Sequence, residues 1–286
     1  MKIVIFTEAG SAFGYGHLSR CTALKQGFEE FGTNVTMYVR GDTTAQNEFV
    51  KTEWLDNFDT SLLENFDVVV IDSYHAPKKL YEDAVKKVDF GVWFDDTNRI
   101  NYPTGRIIDG KNSVVLRKAF WGESNLHSKK NAKFFISFGG TDKKQEVSKI
   151  VKEIRKKNLN ASFIFASEVP DEILSVNDII LTHADENSIA EAMKQCSKAV
   201  SAGGQTLLEL AALGIPTVAV IIAENQIGSS KRCMDAHHIL GLVDITDTNW
   251  TLEAVSLLNK DKKIIPIEVQ TKSIANDILN EVKQKK

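Results

Sequence analysis

Short apolar runs alternate with amphipathic stretches along most of the chain. The first runs are Lys2–Phe6, Val35–Val39, Asp67–Asp72 and Phe90–Asp95. They are rich in Val, Ile and Phe and nearly apolar throughout, which suits strands buried on both faces of a parallel sheet. Between them, apolar residues recur at helical spacing. Leu18, Cys21, Leu24 and Phe28 mark a helix from His17 to about Phe31, and a second pattern runs from Pro77 to Lys87. From residue 100 the pattern breaks into short pieces and polar turns. It restarts at Lys133 with KFFISF, a Gly-Gly turn and a helix over 144–157. Further strands are predicted at 162–166, 178–181, 199–202 and 217–222, and helices over 187–195, 205–213, 226–240 and 268–283. Two rounds of strand–helix alternation predict an α/β chain of two Rossmann-like domains facing each other across a cleft. The domains expected are 1–127 and 132–286, with the last helix crossing back to the first.

Composition narrows the function classes. The 286 residues fit two domains of ordinary size. With 43% hydrophobic and 26% charged residues, a disordered or collagen-like chain is excluded. Thirty-five Lys+Arg against 38 Asp+Glu leave a net charge of −3, so charge makes no case for a nucleic-acid partner. Cys21, Cys196 and Cys233 are odd in number and widely spaced, with no CxxC pair. They read as buried thiols in a reducing compartment. The apolar N-terminus is too short for a signal sequence, and no apolar window nears 18 residues. The expectation is a cytoplasmic monomer without a membrane span.

In open α/β sheets, ligands bind beyond the carboxyl ends of strands, so the loops there carry the candidate chemistry. The first loop leads through Gly14, Tyr15 and Gly16 to His17 at a helix start, followed by Arg20. A neutral imidazole facing a cleft can take a proton from water, whereas a polar residue at an exposed helix start is the plainer reading. Ser19 replaces the third glycine of a dinucleotide fingerprint, and there is no Gly-Lys-Ser/Thr of a P-loop. Asp72, Ser73, Tyr74 and His75 end the third strand, either as a site or as a cap for the helix that begins near Pro77. Asp95-Asp96 ends the next strand. Turn and cap roles suit this pair better than a metal site, since no third ligand is spaced for one.

The second half repeats the arrangement with more glycine. Gly139, Gly140 and Thr141 follow its first strand, and such a turn can cradle phosphate or simply turn the chain. Gly203 and Gly204 lead into a helix beginning near Gln205 and Thr206, offering bare amides to a diphosphate. Glu209 lies one turn further, where a carboxylate can accept both ribose hydroxyls. Asn225 and Gln226 end the next strand, either as amides for sugar substituents or as turn residues.

Several of these segments, in order, resemble the PseG family. They are Gly14-x-Gly16-His17-x-x-Arg20-Cys21, Asp72-x-Tyr74, Leu116-Arg117 with Phe120, Phe138-Gly-Gly-Thr-Asp142, Gly203–Pro216 and Asn225-Gln226. The resemblance covers residues 2 to about 240. It implies a GT-B fold related to MurG, and release of UDP from UDP-2,4-diacetamido-2,4,6-trideoxy-β-L-altropyranose by inverting attack of water, with neither metal nor cofactor. His17 matches the family's catalytic histidine and Tyr74 its cleft tyrosine. Gly203, Gly204, Thr206 and Glu209 match the UDP-binding segment, and Asn225 and Gln226 a segment facing the sugar. Residues 181–185, with His183 and Ala184, match a strand end that holds uracil through backbone groups. Phe6 and Glu8 stand where the family carries Arg and Asp, and Thr7-Glu8-Ala9-Gly10 is closer to spore-coat polysaccharide proteins of the same superfamily. The alternatives are a GT-B glycosyltransferase using another acceptor and a non-catalytic nucleotide-sugar binder.

Overall fold

The computed structural model describes residues 1–10, 12–41, 53–110, 113–122, 133–139, 143–166, 169–181 and 184–285. Two compact units emerge. One comprises Met1–Lys118 with Gln270–Lys286, the other Ala119–Val269.

The first unit is built on six parallel strands: β1 (Lys2–Ala9), β2 (Asn34–Gly41), β3 (Glu53–Leu55), β4 (Val68–Asp72), β5 (Phe90–Phe94) and β6 (Arg106–Ile108). Their order is β3-β2-β1-β4-β5-β6, so the direction in which strands are added reverses between β1 and β4 while all stay parallel. From Ile3 onward β1 is buried throughout, as are β4 and β5. Helix α1 (Gly16–Glu29) lays Leu18, Cys21, Leu24 and Phe28 on one sheet face. Helix α2 (Lys78–Ala84) covers the other, where Tyr81 and Ala84 meet Phe6, Ile71 and Trp93.

In the second unit the strands are β7 (Lys133–Ser137), β8 (Ser162–Phe165), β9 (Ile179–Ile180), β10 (Lys198–Ala202), β11 (Thr217–Ile221) and β12 (Gly241–Asp244), in the order β12-β11-β10-β7-β8-β9. Every pairing is parallel. The helices are α3 (Lys144–Lys157), α4 (Glu186–Lys194), α5 (Gln205–Ala212), α6 (Ile227–Asp235) and α7 (Trp250–Leu258). Both sheets therefore have one Rossmann strand order, whose switch point lies beside the first strand of each.

The last helix, α8 (Thr271–Lys285), belongs to the first unit. Ile274, Ala275, Ile278, Leu279 and Val282 join the core formed by Leu24 and Phe28. Its contact with α1 is close: a Cβ on Gly27 would stand 3.1 Å from Ala275 and Thr271. The Thr271 hydroxyl anchors its start, accepting from Leu116 N at 2.9 Å and donating to Leu116 O at 2.8 Å. Among the described residues no helix is long and apolar enough to cross a membrane.

Three sequence expectations change. The first strand runs to Ala9 rather than Phe6, drawing Thr7 and Glu8 into the sheet. The helix expected over 226–240 ends at Asp235, where His237 turns the chain at φ 60°. Strands β3, β6 and β12 and helix α7 were not foreseen.

Candidate active site

The first site lies at the switch point of the first unit. After β1, the chain makes a tight loop closed by Gly14 N donating to Gly10 O at 2.7 Å. Gly10 and Gly14 take φ values of 131° and 72°, conformations that L side chains rarely adopt. The half-buried Tyr15 packs on the core, and α1 starts at the exposed Gly16. This brings His17 over the end of β4, where its side chain is buried.

His17 Nδ1 lies 2.6 Å from Asp72 Oδ1. A carboxylate only accepts, so in the neutral ring this partner fixes the tautomer, with the hydrogen on Nδ1 and the lone pair on Nε2. Asp72 is fully buried. Arg20 grips it from the next turn of α1, Nε donating to Oδ2 at 2.5 Å and Nη2 to Oδ1 at 2.6 Å. Cys21 Sγ approaches Oδ2 at 3.7 Å. Burial alone would raise the Asp72 carboxyl, but Arg20 and His17 outweigh it and hold the group well below the usual carboxylate range. Asp72 is thus a permanent negative charge behind His17. Arg20 and Asp72 turn to each other and to His17, since the buried carboxylate takes up the donors around it.

Tyr74 meets His17 edge-on, with ring centroids 4.5 Å apart at 84°. Its hydroxyl donates to Asp96 Oδ2 at 2.9 Å. Burial, opposed by Arg20 and reinforced by Asp96, pushes the phenol up to about 12, so it stays protonated at neutral pH. Ser73 does not cap the following helix, whose N-cap is Pro77; its Oγ accepts from His75 N at 3.1 Å and Ala76 N at 2.8 Å in the loop before it. The Asp95-Asp96 pair divides. Asp95 makes the expected turn, accepting from Thr97 N at 2.9 Å and Arg99 N at 2.8 Å. Asp96 departs from that reading and faces the site, since successive residues leaving a strand point to opposite sides. Among the described residues no group of three His, Cys, Asp or Glu is placed to hold a metal.

Glu8 is fully buried on the opposite sheet face and pairs with Arg40, its register partner on β2. Arg40 also lies over the rings of Phe13 and Phe58. The pair explains how a glutamate can end an apolar strand.

In the second unit, Gly139 turns at φ 72° after β7, whereas Gly140, Thr141 and His183 lie outside the described residues. Ala184 is half-buried and precedes Asp185, which caps α4 by accepting from Asn187 N and Ser188 N. After β10, Gly203 is buried and Gly204 is the exposed N-cap of α5, with Gln205 and Thr206 half-buried in its first turn. Gly204 brings no side-chain cap to this helix, and Leu207 N donates to Gly204 O at 3.1 Å. Glu209 is only 2% exposed on the same helix. The start of α6 packs against this turn. A Cβ at Gly203 would fall 2.3 Å from Ser230 Oγ and 3.0 Å from Gln226 Cβ. Gly203→Ala should therefore cost about 1–3 kcal/mol of stability, read by denaturant unfolding; an unchanged midpoint would contradict the packing argument. Asn225 is exposed, whereas Gln226 spends its Oε1 on Ile222 N at 3.1 Å.

Solved structures of similar architecture identify the fold. MurG from Acinetobacter baumannii superposes with a TM-score of 0.62, at 12% identity over 98% of this chain and 100% of the other. A UDP-GlcNAc 2-epimerase from Methanocaldococcus jannaschii gives 0.59 at 13% identity, over 99% and 100%. The chain has the GT-B fold. No family model matches it. This GT-B chain is 26% identical to the spore coat polysaccharide biosynthesis protein SpsG of Bacillus subtilis, over 85% of this chain and 84% of that protein. It is 26% identical to the Helicobacter pylori pseudaminic acid cytidylyltransferase and UDP-2,4-diacetamido-2,4,6-trideoxy-β-L-altropyranose hydrolase, over 81% of this chain. An uncharacterized M. jannaschii protein, MJ1062, is 25% identical over 82% of this chain. The chain spans 46% of the H. pylori protein's length and 58% of the M. jannaschii protein's. PseG-like and SpsG proteins are thus among the relatives of this GT-B chain.

Proposed function

We propose that the chain hydrolyses a UDP-sugar of the diacetamido-trideoxyhexose class, with His17 as general base. The observation that carries this reading is the His17–Asp72 hydrogen bond of 2.6 Å, which commits Nδ1 and leaves Nε2 as a basic nitrogen. Nε2 takes a proton from water as the water oxygen bonds to the anomeric carbon. The bond from that carbon to the phosphate oxygen breaks, and its electron pair leaves with UDP. A single displacement inverts the anomeric centre. Tyr74, whose one hydrogen goes to Asp96, offers its phenol oxygen as an acceptor that orients water or sugar. The first turn of α5 receives the growing negative charge of UDP. The named activity of the H. pylori relative supports the substrate class.

The test is phosphorus NMR of the protein with UDP-2,4-diacetamido-2,4,6-trideoxy-β-L-altropyranose and UDP-GlcNAc, without acceptor. UDP release from the first is expected. UDP binding without release would favour the second reading, a transferase to another acceptor. In either case Glu209 is assigned to the ribose. Glu209→Ala should weaken UDP about 10–100-fold by calorimetry; unchanged affinity would contradict that assignment.

A further inference from the structure

We infer that Asp96 is a positioning residue that lets His17 accept a proton beside a partly buried arginine. The inference rests on His17 being the base. Arg20 is needed to keep the fully buried Asp72 ionised, but it brings a hazard: its Nη2 stands 3.3 Å from His17 Nδ1. A bare guanidinium at that distance opposes the imidazolium that forms when water gives up its proton.

Asp96 answers that charge. Arg20 Nη1 donates to its Oδ2 at 2.6 Å, so one guanidinium is shared between two carboxylates. Tyr74 OH and Gly110 N, the latter 2.7 Å from Oδ1, hold Asp96 in place. Burial would raise its carboxyl, but Arg20 and Tyr74 lower it, so it stays charged. Asp72, Asp96, Arg20 and a neutral His17 together carry one negative charge; protonation brings the cluster to zero. Without Asp96 the same step would leave one positive charge partly buried. The other groups facing His17 are the neutral Tyr74 ring and, behind Asp72, the Cys21 thiol, which burial and Asp72 keep protonated.

The experiment is a pH titration of the His17 ring by nitrogen NMR on histidine-labelled protein, assigned with His17→Asn. In Asp96→Asn the titration should move to lower pH by about one unit. The acid limb of the kcat/KM profile should move with it, and the plateau should fall. Asp96→Glu should restore the wild-type position. Arg20→Gln removes the opposing charge and should move the titration to higher pH, which keeps the test alive if Asp96→Asn does not fold. A loss of rate with no movement of the titration, or movement of both variants in one direction, would overturn the inference. The ring titration needs no turnover. A moved titration without a matching limb would therefore count against His17 as the base and not against its coupling to Asp96.

Discussion

His17→Asn is expected to lower UDP release about 10²–10⁴-fold, the usual contribution of a general base, and to leave UDP affinity unchanged. Asparagine keeps a donor near Asp72 but offers no basic nitrogen, so the charge behind the site stays paired while proton transfer stops. UDP is assigned to the α5 turn, which belongs to the other unit of the chain. Single-turnover rates with calorimetric UDP affinities separate the two effects. A variant with wild-type rate would remove His17 from the mechanism. A variant that also lost UDP would show that the first unit contributes to nucleotide binding.

The second large effect belongs to Asp72. In Asp72→Asn the amide can donate to Nδ1, favouring the tautomer whose Nε2 carries the hydrogen and cannot accept one. The rate should fall about 10²–10⁴-fold, although Asp72 has no exposed surface. Stability falls too. Arg20 loses its bidentate partner, and breaking such a buried pair costs about 3–5 kcal/mol. Because the Asp72 carboxyl is held below its ordinary value, its contribution is complete above the unfolded value near 3.8 and is lost as pH falls through the lower folded one. The stability gap between variant and wild type should therefore persist through neutral and mildly acid pH and close only in strong acid. Denaturant unfolding at several pH values reads this directly, and a gap that closes near neutrality would contradict it.

Much of this arrangement is legible in the sequence, for identifiable reasons. The glycines before His17 and before Gln205 mark loops that only a few backbone shapes satisfy, and the Val-rich runs β4 and β11 announce doubly covered strands. Glu8 was harder. A strand end read from apolarity stops at Phe6, because nothing in the local pattern announces that Arg40, 32 residues away, will neutralise a buried glutamate. Asp96 was misread for a similar reason. Its neighbour Asp95 does make a turn, and only the strand geometry, with β5 beside β4, brings the second carboxylate to Arg20. The short strands β3, β6 and β12 take their place from backbone pairing rather than from a long apolar run. The periodicity of α8 predicts a helix, yet the sheet it covers is set by the Gly27 notch and the Thr271 anchor.

The central claim is that water, activated at His17, attacks the anomeric carbon. The direct measurement is turnover of UDP-2,4-diacetamido-2,4,6-trideoxy-β-L-altropyranose in oxygen-18 water, with both products read by mass spectrometry. The account predicts label on the released sugar, none in UDP, and about 10²–10⁴-fold less labelled sugar from His17→Asn in the same time. Label in the UDP phosphate, or equal labelling of the sugar in the variant, would contradict it.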